Sequence, residues 1–168
     1  MGSPRPPSER DPSVEPPAPD PIAIFQIVGV AEGWMPHEDR RLSDMLNAGK
    51  PVRVRLPHRD GGPDEWLEVQ PDTVVAVAPP PRPAPSSPRF PRRRQSFELR
   101  AAPYRITGTA HMPPGSDPVR YVRGASRRWL PLTECVVEMG SDAWEVDVVI
   151  VNLRHVSRAD ASAPRPAG

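Results

Sequence analysis

Pro91-Arg92-Arg93-Arg94-Gln95-Ser96-Phe97 is the densest array of chemically defined groups in this chain. Guanidinium forks grip phosphate oxygens two at a time, and Phe90 and Phe97 flank the run as rings on which a base could stack. Read as a site, Arg92, Arg93, Arg94, Phe90 and Phe97 form a contact surface for single-stranded nucleic acid or for a protein partner. The plainer role is favoured: arginines set among prolines keep a linker extended and soluble by mutual repulsion. The whole chain carries a net charge of only +1, from 22 basic and 21 acidic residues, so it is not an obvious polyanion binder. The imbalance is local, with Arg82, Arg89, Arg92 to Arg94, Arg100 and Arg105 gathered against the single acid Glu98.

Other reactive groups are scattered. His37, His58, His111 and His155 fall in different loops, and no pair has the spacing of metal ligands on a helix or strand. A metal site is therefore not expected, and neither is a cofactor, since the chain has no glycine-rich phosphate loop. Ser43, Ser126 and Thr133 have no nucleophile motif around them. Cys135 is the only cysteine, so no intramolecular disulfide can form, and Leu132, Val136 and Val137 beside it mark a small core residue. Trp34, Trp66, Trp129 and Trp144 each stand next to a turn or a strand start, where large rings ordinarily pack. The chain reads as non-enzymatic.

The elements that must position these groups are strands. Ile22 to Ala31 is rich in Ile, Val and Phe and predicts one strand after Pro21. Val52, Val54 and Leu56 alternate with Arg53 and Arg55, the pattern of a half-buried strand. Turn residues from His58 to Asp64 lead to Glu65–Val69 and so to a hairpin, with a further strand at Val74–Ala78. Val136–Met139, Gly140-Ser141-Asp142 and Trp144–Val151 predict a second hairpin, whose last strand lacks alternation and is expected to be covered on both faces. Only residues 38–47 look helical, with Leu42, Met45 and Leu46 on one face, and Val119 to Arg128 reads as loop or strand.

A repeat organises these strands. Phe25-Gln26-Ile27-Val28-Gly29-Val30-Ala31 matches Tyr104-Arg105-Ile106-Thr107-Gly108-Thr109-Ala110, ring for ring and glycine for glycine. Pro51–Leu56 lies over Pro131–Val136 and Val69–Val74 over Val151–Val156, in the same order; a rival register sets Trp66 over Trp144. Units of about fifty residues seldom bury a core alone, so the pattern predicts an internal duplication with two half-barrels making one composite body. The expected class is mainly β: two similar small β-barrel units, one short helix, and a Pro-rich disordered tail and linker.

Twenty-seven prolines set the boundaries, eight of them within residues 1–21 and seven within 79–91. Proline withholds a backbone donor and favours extended conformations. Residues 1–20 read as a disordered tail, 21–78 as the first β-unit, 79–95 as the linker, 96–158 as the second β-unit and 159–168 as a frayed end. No apolar run approaches a membrane span and no signal-peptide core is visible, so a cytoplasmic protein is expected.

Arg41-Leu42-Ser43-Asp44-Met45-Leu46-Asn47, Trp129-Leu130-Pro131-Leu132-Thr133 and the corner Val151-Asn152 resemble segments of uncharacterised bacterial small-β-barrel proteins. The resemblance implies a strongly bent, Sm-like or similar barrel with no established activity. Within it Asp44 and Asn47 would be structural, satisfying backbone donors where the helix ends and the strand begins. The arginine run also resembles the first motif of PilZ domains, which bind cyclic di-GMP, but the acidic-or-amide, Ser, Gly motif that should follow is missing. These features point to a binding or scaffold module that associates with protein, itself included. The alternatives are single-stranded nucleic-acid binding at the arginine run and small-ligand or nucleotide sensing between the two units.

Overall fold

In a computed structural model that describes residues 20–36, 42–57, 65–80, 92–124 and 128–162, ten strands form one antiparallel sheet. The first half contributes β1 (Asp20–Gln26), β2 (Gly29–Met35), α1 (Leu42–Asn47), β3 (Val52–Leu56), β4 (Glu65–Val69), a 3₁₀ turn at Pro71–Thr73 and β5 (Val74–Ala78). The second half contributes β6 (Arg93–Ala101), β7 (Tyr104–Met112), α2 (Pro118–Arg123), β8 (Trp129–Met139), β9 (Asp142–Asn152), a 3₁₀ turn at Leu153–His155 and β10 (Arg158–Ser162). The strands lie in the order β10-β6-β7-β8-β9-β5-β1-β2-β3-β4, and the sheet is open, with β10 and β4 at its ends.

Apolar residues on both faces of the middle strands explain why the halves do not separate. All five residues of β5 are buried: Val74 and Val77 belong to one core cluster, and Val75, Ala76 and Ala78 to the other. Ile24 and Phe25 on β1 divide in the same way, as do Ile150 and its neighbours Val149 and Val151 on β9. Successive strand side chains point to opposite faces, so β9, β5 and β1 form a wall with a core on each side. Phe25 crosses that wall. It lies edge-on to Tyr104 and to Trp144, ring centroids 5.6 Å away in each case. Trp129, from the second half, is buried in the first half's core. Double coverage of the last strand of the second hairpin is thus found at Val149–Val151, whereas Asp142–Val148 lies at most half-buried.

Each half also uses one neighbour order, β5-β1-β2-β3-β4 in the first and β10-β6-β7-β8-β9 in the second. The correspondence extends to residues. The innermost hairpin pairs are Gln26–Gly29 and Ala101–Tyr104, and the pair Trp34–Arg55 between β2 and β3 falls where Thr109–Thr133 falls between β7 and β8. Val69–Val74 and Val151–Val156 lie in this register, each carrying a strand end through a 3₁₀ turn. The match of Phe25–Ala31 to Tyr104–Ala110 does not, since the first stretch crosses the β1–β2 turn while the second lies inside β7. Val52 pairs with Val69 and Leu130 with Val151, so Pro51–Leu56 is two residues out of step with Pro131–Val136, and Trp66 corresponds to Val148 rather than Trp144.

The glycines that correspond are Gly33 and Gly108. A Cβ on Gly33 would lie 2.4 Å from the Arg55 carbonyl oxygen and 2.8 Å from Val54 Cγ1. On Gly108 it would lie 2.8 Å from Cys135 Sγ and 3.0 Å from Leu132 Cβ. Both sit where the next strand presses close, the usual reason for glycine inside a strand.

Four expectations are corrected. Ile22–Ala31 is not one strand but two, reversed at Ile27-Val28, where Val28 is 93% exposed and Gly29 takes φ +145°. A second helix, α2, stands where loop or strand was expected: Asp117 Oδ1 accepts from Arg120 N at 2.8 Å, Pro118 opens the first turn, and Gly124 N closes on Arg120 O. Residues 159–162, read as a frayed end, belong to β10, whose ladder is supplied by β6 and not by any apolar pattern of its own. Arg93, Arg94 and Gln95, assigned to the linker, begin β6.

Candidate functional site

The arginine run is reshaped by its place at the start of β6. Arg92 and Arg93 are exposed, and Arg93 Nη2 donates to Gln95 Oε1 at 3.2 Å. Arg94 Nη2 donates to both carboxylate oxygens of Glu134, at 2.6 and 2.5 Å. Phe97 is 2% exposed and packs in the core, so it is not available to stack on a base; Phe90 lies outside the described residues. The predicted constellation therefore dissolves into a paired arginine, a core ring and two surface cations. Asp44 and Asn47 are exposed on α1, whose end is closed by main-chain bonds from Ala48, Gly49 and Lys50 to Asp44, Leu46 and Met45.

Glu134 marks the one residue other than glycine with positive φ among the described residues, at 54°. It sits at an irregularity in β8, where pairing with β7 and β9 skips a residue. Around it Thr109 Oγ1 donates to Glu134 Oε2 at 3.4 Å, Thr133 Oγ1 donates to Thr109 O at 3.2 Å, and His111 Nε2 lies 3.1 Å from Thr133 Oγ1. Left-handed backbone at a residue with a Cβ costs about 1–2 kcal/mol, which the Arg94 pair and the flanking core hold in place. Nearby, a side-chain hydrogen bond from Arg105 holds the Glu138 carboxyl below its ordinary range, and Glu138 in return raises Arg105. Cys135, the next residue along, is buried, and burial pushes its thiol up to about 12, so it carries its proton at neutral pH.

The most organised polar site lies where β9 meets β5. These strands pair at Val151–Ala76 and Ile150–Val77. Beyond the ladder, Asn152 is fully buried; its Nδ2 donates to Pro71 O at 3.2 Å and to Val74 O at 3.0 Å, while its Oδ1 accepts from Arg154 N. One amide thus closes the second half's 3₁₀ turn and clamps the first half's. Asp72, at the middle of the first turn, is paired with Arg128 and with Arg154, and its carbonyl meets His155 Nε2 at 2.8 Å. Tyr104 adds a second clamp: its hydroxyl donates to Gln26 O at 2.7 Å and Gly29 O at 3.0 Å, and burial raises its pKa.

Beside this join, Arg123, Arg128, Arg154 and Arg158 line a cleft of about 400 Å³. Folding thus gathers four arginines from separate segments at this cleft, with Arg128 and Arg154 paired to Asp72 and Arg158 to Asp160. Sequence reasoning passed over Asp72, Arg128 and Arg154 because each is unremarkable in its own segment; the corner Val151-Asn152 was the only visible signal. His155 joins this site, His111 lies by the β8 irregularity, and His37 and His58 lie outside the described residues. Trp129 is a core residue, while Trp34 and Trp66 lie under Arg55 and Arg53, at 5.7 and 5.0 Å.

The two sheet ends are the remaining features of note. Among the described residues β4 pairs only with β3 and β10 only with β6. On β4, Trp66 is 48% exposed and Glu65 and Glu68 are exposed. No described helix is long and apolar enough to cross a membrane. Comparison with protein-family models, curated proteins and solved structures returned no match.

Proposed function

We infer that this chain is a non-enzymatic binding and scaffold module, made of two copies of one small Sm-like β-unit and taking up protein at the ends of its sheet. The observation that carries the reading is the recurrence of one five-strand order, with β4 and β10 each left with a single strand neighbour. Edge strands present a row of donors and acceptors ready for another strand, and strand addition is a common way for sheets to take up polypeptide. The equivalent Gly33 and Gly108 support the two-copy origin, since both meet corresponding residues on the next strand. The arginine run contributes less, with Arg94 paired and Phe97 buried.

A photo-crosslinking residue placed at Trp66 or at Ala161 tests this in native lysate. Polypeptide adducts are expected at both edges, and few at Val28, a turn residue more exposed than Trp66. Absence of polypeptide adducts at both edges overturns the reading. So does a salt-sensitive shift of single-stranded RNA that is lost when Arg92, Arg93 and Arg94 become serine.

A further inference from the structure

Independently of what the sheet ends take up, we propose that the arginine-lined cleft of the second half binds a small phosphate monoester. The phosphate lies among the guanidinium groups and the organic body on the apolar floor. Three pieces of chain build this cleft. The first is α2, which ends at Arg123, where Gly124 N closes on Arg120 O. Next, Arg128 O accepts from Leu153 N at 2.8 Å, which sets the 3₁₀ turn that carries Arg154. Last, Ser157 N and Oγ both donate to Arg100 O, which fixes the start of β10 at Arg158. Val122, Leu153 and Val156 form the floor, packed in or against the core that holds Leu99 and Leu130.

Charge selects the ligand. No aspartate or glutamate lines the cleft among the described residues. Asp72 is shared between Arg128 and Arg154, Asp160 serves Arg158, and no described carboxylate pairs with Arg123. Four guanidinium charges thus meet two carboxylates, and the two positive charges left over complement a phosphate monoester dianion. Guanidinium forks bind such oxygens two at a time. Arg128 Nε is also buried with no acceptor among the described residues, the condition that marks a place for an ion or a water. A volume of about 400 Å³ fits a small organic molecule rather than a bare anion. Farther across the sheet, Arg100 and Arg105 are matched by Glu98 and Glu138, so the charge does not continue as a track for a nucleic-acid strand. The first half has no counterpart. Asp72 stands there in the place of Arg154 and Ala76 in the place of Arg158, and β9 covers that edge of β5.

Calorimetric titration of the full chain with phenyl phosphate decides the matter. Saturable binding is expected, and phenyl sulfate, with the same ring and a single negative charge, should bind at least about tenfold more weakly. Inorganic phosphate, which lacks the ring, should also bind at least about tenfold more weakly. Arg123→Ser and Arg158→Ser, at two exposed positions, should each lower the affinity for phenyl phosphate at least about tenfold with an unchanged circular dichroism spectrum. Arg92→Ser should leave it unchanged. Variants on two different elements guard against one failing to fold. No saturable binding of phenyl phosphate, binding indifferent to both substitutions, or equal affinity for inorganic phosphate overturns the proposal. So does a shift of single-stranded RNA that Arg123→Ser abolishes while phenyl phosphate fails to bind. Phenyl phosphate binding without polypeptide adducts at the sheet edges overturns the scaffold reading alone and supports the cleft.

Discussion

Asn152 and Gln70 hold the same place in the two halves, each the residue before a 3₁₀ turn, yet one is fully buried and the other exposed. The turns differ in the same sense, with Asp72 in the first where the second has Arg154. Inside the molecule these differences meet as partners: amide to carbonyls, base to acid. The apolar frame, by contrast, changes little, since Val54 and Leu132 occupy one position and Gly33 and Gly108 another. A common frame with polar residues altered at the join gives two halves that complement each other at their seam.

Breaking the wall between the cores should have the largest effect. Phe25→Ala removes a fully buried ring that packs against two rings of the other half, and an expected loss of about 3–5 kcal/mol is read by denaturant titration. Next come the strand glycines. Alanine at either is expected to cost about 1–3 kcal/mol, more at Gly33, where the new carbon meets a backbone oxygen, than at Gly108, where a sulfur can give way. Equal losses would weaken the case that the two contacts differ in kind.

The amide comparison is sharper. Asn152→Ala leaves the Pro71 and Val74 carbonyls without their donor and should cost about 1–3 kcal/mol, whereas Gln70→Ala should stay within about 0.5 kcal/mol in the dilute chain. Alkaline titration has no effect at neutral pH and acts only above about pH 9. The native Cys135 thiol ionises at about 12 against an ordinary value of 9.0, so above about pH 9 the unfolded chain holds fewer protons and stability falls until the native thiol also ionises. Cys135→Ala should flatten that decline without abolishing it, because Tyr104 is raised in the same direction.

Strand content was legible because alternation at Val52–Leu56 and the apolar run at Val74–Ala78 reflect burial directly. Reversal at Ile27-Val28 was not, because β-branched residues rarely mark a turn and the only cue was Gly29. Asp117-Pro118 was a readable helix start, obscured by Gly124 at its end. β10 escaped notice because its sequence, Arg-Ala-Asp-Ala-Ser, takes its pairing from β6. The site at the join was illegible for a similar reason: Asp72, Arg128, Asn152 and Arg154 become neighbours only through the β9–β5 ladder. The Phe25 and Tyr104 stretches share residue types but not strand positions, so their likeness in sequence does not carry the register of the two halves.

Native-state hydrogen exchange on Phe25→Ala tests most directly whether the two halves are one cooperative sheet sharing a wall. The expected result is that protection falls by the same free energy in β1 and β5 of the first half and in β7 and β9 of the second. Full protection retained in β7 and β9 while β1 and β5 exchange freely would contradict it.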